Sequence, residues 1–224
     1  MTISKLPIRS VALALSVVGM LTSGSALACG GDWYPEVHLD PRIHGVAEAE
    51  KSIAKGDYVA AAGSVVRMMP HIKTLDAKSD PLVARAERIL AVAIARNDGR
   101  LRLEQEVPNQ FLGHWQGKSR ADRDQNLAWS VSTLRGELAL KKDDPVLQTE
   151  LGEALSKQDG GRDEARALLE SLAARDLVAS PEGYKALAEL RRAQGDEAGQ
   201  KLAMKRCESM APVGNVCEPS AHRG

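Results

Sequence analysis

From Gly45 to Met210 apolar residues recur three and four positions apart almost without a break, the spacing that gathers them on one face of an α-helix. Ala and Leu dominate these faces, and no stretch keeps the alternate-residue pattern of a half-buried strand. The ends are marked as clearly as the faces. Asn97-Asp98-Gly99 closes one periodic segment, while Asp80-Pro81, Asp144-Pro145 and Ser180-Pro181 open three others. In each opening a polar cap precedes a Pro, whose missing N–H costs nothing at the first helical position. The pattern predicts an all-α chain with helices over 43–55, 58–69, 81–97, 100–106, 122–141, 145–157, 162–175, 181–194 and 196–210. Residues 29–44 (CGGDWYPEVHLDPRIH) contain Gly and Pro and predict an irregular lead segment, and 211–224 a C-terminal tail. The helical domain is expected over 45–210.

Residues 1–28 follow a different rule. Lys5 and Arg9 precede an apolar run from Val11 to Leu21, then Thr22, Ser23, Gly24 and Ser25 lead to Ala26-Leu27-Ala28. A basic start, a short apolar core and a small-x-small ending are the parts of a secretory signal peptide. The run is too short to span a bilayer, which takes roughly 20 residues. The expectation is an exported protein, periplasmic or anchored at the outer membrane, with full secretion as the lesser alternative. At Cys29 two readings stand. Ordinary signal peptidase would leave it as a plain first residue. The junction also resembles the bacterial lipoprotein signal, in which a small residue precedes a cysteine that becomes lipidated; Ala26 stands where that family usually has Leu.

The three cysteines are Cys29, Cys207 and Cys217. In an oxidising compartment an odd thiol needs an explanation. Pro212 and Gly214 can turn the chain between Cys207 and Cys217, so a disulfide there would close a small loop worth about 2–3 kcal/mol. The alternatives are two inert thiols, or Cys29 bonded to one of them. If the pair forms, Cys29 is left over, and lipidation would account for it.

Charge narrows the partners. Thirty Lys and Arg balance thirty Asp and Glu, and loss of Lys5 and Arg9 with the signal leaves a net charge of about −2. Nucleic-acid binding asks for a concentrated basic surface, so no nucleic-acid partner is expected. Contact with a membrane is expected only through a lipid at Cys29.

An internal period is visible in the C-terminal third. Pro145 and Pro181 lie 36 residues apart, as do Leu151 and Leu187, and Gly152 and Ala188. Each first helix ends near Gly (Gly160, Gly195), and each second helix opens with an acid and Ala (Glu164-Ala165, Glu197-Ala198). Gly56-Asp57-Tyr58-Val59-Ala60-Ala61, with Val65 and Met68, gives the same turn and second helix. Here the chain resembles the tetratricopeptide repeat (TPR) family, whose period is about 34. The resemblance covers about 100 residues well; residues 100–121 fit no repeat. It implies a TPR-like α-solenoid, an antiparallel helix-pair repeat array of four or five pairs, right-handed, whose first helices line a concave groove for a peptide or partner helix. Contact candidates are Asn126, Trp129 and Arg135 on one helix and Tyr184, Arg191 and Arg192 on another.

Catalytic signals are weak by comparison. Gly113-His114-Trp115-Gln116-Gly117-Lys118-Ser119 has three residues where a phosphate-binding loop needs four, and no buried strand precedes it. Glu36, His38, Asp40 and His44 crowd into nine residues, yet Pro41 interrupts them and no helical spacing pairs the histidines. The acidic pairs Asp143-Asp144 and Asp163-Glu164 sit where helix starts are predicted and favour the positive end of the helix dipole. No cofactor or metal is expected. The sequence therefore points to a non-enzymatic cell-envelope protein that binds a protein or peptide partner. The alternative is an envelope enzyme, or a small-ligand or metal-binding protein, with its site in 29–44 and 107–121.

Overall fold

The computed structural model describes residues 40–101, 103, 115, 119–211 and 216–218, and among these every regular element is helical. The helices are α1 (Pro41–Ala54), α2 (Tyr58–Met68), α3 (Pro81–Arg96), α4 (Arg120–Leu140), α5 (Pro145–Lys157), α6 (Arg162–Ala173), α7 (Pro181–Ala193) and α8 (Glu197–Met210), with a short 3-10 turn at Ile72–Thr74. Among the described residues no helix is long and apolar enough to cross a membrane.

The local chemistry explains the boundaries. α1, α3, α5 and α7 each start with Pro behind a capping side chain: Asp40 accepts from the Arg42 N–H, Asp80 from Leu82 and Val83, Asp144 from Val146 and Leu147, and Ser180 from Gly183. Asp163 and Glu164 lie in the first turn of α6. The turns that follow α1, α3, α5 and α7 all contain a glycine at positive φ, namely Gly56, Gly99, Gly160 and Gly195, where a side chain would be strained. Short turns of this kind force neighbouring helices to pack side by side: α1 with α2, α5 with α6, and α7 with α8. α3 and α4 pack in the same way despite the longer connection between them.

Two expectations need correction. The lead segment 29–44 is not irregular to its end, because α1 begins at Pro41. Asp40-Pro41 is a cap and first helical residue, the same signal as at 80–81 and 144–145. Of the helix expected over 100–106, the described residues Arg100, Leu101 and Leu103 are not helical, Leu101 and Leu103 being buried; residues 102 and 104–106 lie outside the described residues. The 3-10 turn was not anticipated.

Packing runs along the chain as well as within each pair. α2 meets α3, α4 meets α5, α6 meets α7, and α1, α3, α5 and α7 also contact one another in succession. Ion pairs tie that last row together: Arg85 with Glu50 (2.5 Å) between α3 and α1, Arg88 with Glu150 (2.8 Å) between α3 and α5, and Lys157 with Glu189 (3.0 Å) between α5 and α7. The core falls into two clusters. One joins α1, α2 and α3 with Trp115 and Leu127; the other joins α3 and α4 with α5 through α8. Gly152 allows the close approach of α5 and α6, since a Cβ there would come within 2.7 Å of Leu169 Cγ. A disulfide links Cys207 on α8 to Cys217 and draws Cys217 into the second cluster.

Candidate functional site

The row formed by α1, α3, α5 and α7 borders a groove of about 1300 Å3 at the end where the four glycine turns lie. Ile53 and Tyr58 contribute from the first pair, Arg96 from α3, Arg123 from α4, Glu153 and Lys157 from α5, and Arg162 from α6. α7 provides one face. Glu182, Lys185, Glu189 and Arg192 recur three and four apart, so they share a side of the helix, and all four line the groove.

A buried ion network forms the floor. Arg96 reaches from the last turn of α3 to Glu153 on α5, donating from Nε to Oε2 at 2.8 Å and from NH2 to Oε1 at 3.2 Å. Its NH1 lies 3.5 Å from Glu182 Oε1 in the first turn of α7. Tyr58 at the start of α2 donates its hydroxyl to the same Glu182 oxygen at 2.5 Å. The Ser180 hydroxyl donates to Glu153 Oε1 while accepting from the Gly183 N–H, so the α7 cap is part of the network. Glu153 is only 4% exposed. Burial pushes its carboxyl up from the ordinary range, and the Arg96 charge with the Arg96 and Ser180 hydrogen bonds opposes that shift without cancelling it. Burial is the largest single influence on Arg96 and opposes its charge, yet the Glu153 charge and hydrogen bonds together with the Glu182 and Tyr58 charges outweigh it, and the guanidinium is held protonated more firmly than usual. The Tyr58 hydroxyl is pushed up by burial and by its bond to Glu182. Four helices therefore converge on one satisfied charge cluster, which fixes the floor in a single arrangement.

The sequence did not reveal this network. Glu153 interrupts an otherwise apolar stretch, Leu151-Gly152-Glu153-Ala154-Leu155, and Arg96 ends the Ala-rich face of α3; a charge at a core register was the available signal.

The expected contact residues scatter instead of converging. Asn126 is buried, and its amide donates to the Gly99 carbonyl at 3.1 Å, so it ties α4 to the α3 turn. Trp129 is half-buried and meets Trp115 edge-on at 5.2 Å, with Lys73 Nζ 3.9 Å from the Trp115 ring. Arg135 pairs with Glu164 on the α4–α6 side. Tyr184 is buried and donates to Asp176 at 3.2 Å, and Arg191 turns towards α8, donating to the Gly199 carbonyl at 3.1 Å. Of the six, Arg192 alone lines the groove. Asn126 and Tyr184 are buried, and each donates to a neighbouring turn, as buried polar groups require.

The alternative site is only partly visible. Asp40 is committed to Arg42 at 2.8 Å and His44 is exposed, while Glu36, His38 and Cys29 lie outside the described residues. Among the described residues no group of His, Cys, Asp and Glu is placed to hold a metal. In the 107–121 segment Trp115 is buried and Ser119 caps α4; His114, Gly117 and Lys118 lie outside the described residues.

Fold and site together define an all-helical protein with an open, charge-lined groove across the ends of four helix pairs. Comparison with known families, curated proteins and solved structures finds no match to this chain.

Proposed function

We propose that the chain is an exported cell-envelope protein, a TPR-like helical-repeat array that binds a segment of a protein partner in the groove. The single observation that carries this reading is the groove itself, lined by residues from successive helix pairs. The order of packing supports the array: partners within a pair, second helix to next first helix, and first helix to first helix, as in stacked helical repeats. The recurring Pro starts and positive-φ Gly turns support it further. A rigid floor held by the Arg96–Glu153–Glu182 network keeps the groove open without a ligand, which lowers the ordering cost of binding. The signal-like residues 1–28 support export, and the odd thiol at Cys29 supports a lipid anchor once Cys207 and Cys217 are joined.

The test is site-specific photocrosslinking in the native host. A crosslinker at Arg192 or Lys55, which line the groove, should capture the same partner, and one at Arg135 or Lys205 outside it should not. Equal capture from both sets of positions, or none from the groove, removes this reading. Intact mass of the protein from its host decides the anchor: acyl mass on Cys29 supports it, and an unmodified residue rejects it.

A further inference from the structure

The cations in the groove are not equivalent. Arg96, Arg100, Arg123 and Lys157 each have a carboxylate within 4 Å, whereas Lys55, Arg162, Lys185 and Arg192 carry no ion pair among the described residues. Lys185 stands out because it is half-buried as well as unpaired. Acids near it are committed elsewhere: Glu189 to Lys157 at 3.0 Å, and Glu182 to Tyr58 and Arg96. Glu218, within electrostatic reach, lies on the exposed tail. A lysine that gives up part of its hydration and has no carboxylate within 4 Å among the described residues, with Glu189, Glu182 and Glu218 acting only at longer range, is favoured further by an arriving anion.

The wall beside it is apolar. Ala186, Leu190 and Ala193 of α7 and Val216 of the tail border the groove. Val216 packs against the second core cluster and adjoins Cys217, whose bond to Cys207 fixes this part of the tail to α8. A half-buried ammonium and a small apolar wall held by a crosslink stand side by side.

Resting on the groove reading above, we infer that this end of the groove is a subsite for an acidic segment of the partner protein, with a carboxylate at Lys185 and Arg192 and a neighbouring apolar side chain against Val216. Charge complementarity favours a peptide over a nucleic acid here. Glu182, Glu189, Asp98 and Asp159 interrupt the cations along the groove, so a continuous phosphate backbone would meet repulsion at intervals that a peptide with single acids avoids. The disulfide thereby takes part in recognition as well as in holding the tail.

The experiment is a fluorescence-anisotropy titration of the full-length protein, with its disulfide formed, against a short labelled peptide of Glu, Leu and Ser with an amidated end. Its counterpart with Gln for every Glu serves as the comparison. The acidic probe should bind about tenfold more tightly than the Gln probe and weaken with added salt. Lys185→Gln should weaken it about tenfold. Arg192→Gln, at an exposed position that does not threaten folding, should weaken it about threefold. Cys207→Ser/Cys217→Ser should weaken it several-fold by releasing the wall. Lys141→Gln and Lys205→Gln, exposed and outside the groove, should leave it unchanged.

Equal binding of the two probes, or unchanged affinity in both Lys185→Gln and Arg192→Gln, overturns the inference. Tighter binding of a single-stranded RNA oligonucleotide at the same residues also overturns it. If the groove crosslinkers still capture a partner while the acidic probe fails, the groove reading stands and its charge preference falls. If the probe binds while the crosslinkers capture nothing, the subsite stands and the partner reading falls.

Discussion

Replacement of Arg96 by Met should destabilise the protein in a pH-dependent way. Met keeps much of the apolar stem of Arg but removes the one cation among the described residues that pairs with Glu153, a side chain 5% exposed. Losing one partner of a buried ion pair costs about 3–5 kcal/mol. The bonds give a similar figure: two charge-assisted hydrogen bonds to Glu153 are lost at about 1.5–3 kcal/mol each. Retention of the Ser180 bond, and of Tyr58 on Glu182, argues for the lower end, about 3 kcal/mol. That should lower Tm by about 10 °C in a chain of this size.

The pH dependence follows from the sign of the Glu153 shift. Burial already raises its folded-state pKa above the ordinary 4.5, and removing Arg96 takes away the main opposing influence. The folded variant then holds a proton that the unfolded chain has released in the window above 4.5. Its penalty is therefore full above the folded-state pKa and shrinks as pH falls through that value towards 4.5. Urea unfolding followed by circular dichroism at pH 8 and pH 5.5 should show the variant recovering about 1–2 kcal/mol relative to wild type at the lower pH, since each pH unit across the window is worth about 1.4 kcal/mol. Arg96→Met/Glu153→Leu should regain most of the loss at both pH values. A deficit under 1 kcal/mol, or one identical at the two pH values, would refute the description of the network as a buried, coupled ion cluster.

Other expectations are simpler. Gly152→Val should cost about 1–3 kcal/mol by forcing α5 off Leu169, whereas Gly136→Ala, where an added Cβ meets nothing within 4 Å, should stabilise by about 0.5–1 kcal/mol; paired thermal melts distinguish them. Cys207→Ser/Cys217→Ser should lower stability by about 2–3 kcal/mol in urea melts, as expected for a short closed loop. Burial lowers the Lys185 pKa from its ordinary 10.5, with Lys157 adding to that shift and Glu189, Glu182 and Glu218 opposing it. Binding of the acidic probe should therefore begin to fall at a lower pH than an exposed lysine would give; in Lys185→Gln that alkaline limb should disappear from a pH titration of affinity.

What was legible in the sequence was whatever depends on near neighbours. Asp144-Pro145, Ser180-Pro181 and the glycines at 56, 99, 160 and 195 determine where the chain turns, because capping and positive φ act over two or three residues. The same cap-and-Pro signal at Asp40-Pro41 opens α1 two residues before the start expected at 43. The site was not legible, for a geometric reason. Period alone establishes that Tyr184, Lys185, Arg191 and Arg192 lie on α7, but not which flank faces the preceding first helix and which faces α8. That choice is made by packing: Leu187 and Ala188 enter the core, which turns Tyr184 towards Asp176 and Arg191 towards Gly199 and leaves Lys185 and Arg192 to the groove. The floor is further removed from local signals, since Tyr58, Arg96, Glu153 and Glu182 are brought together from four helices by contacts spanning up to 124 residues. A charge placed in an apolar register is the trace such a network leaves in a sequence. Glu153 carried that trace: a carboxylate at a core position on a helix otherwise lined by Leu and Ala requires a cation from elsewhere in the chain, because leaving it buried and unpaired would cost more than the helix could offset.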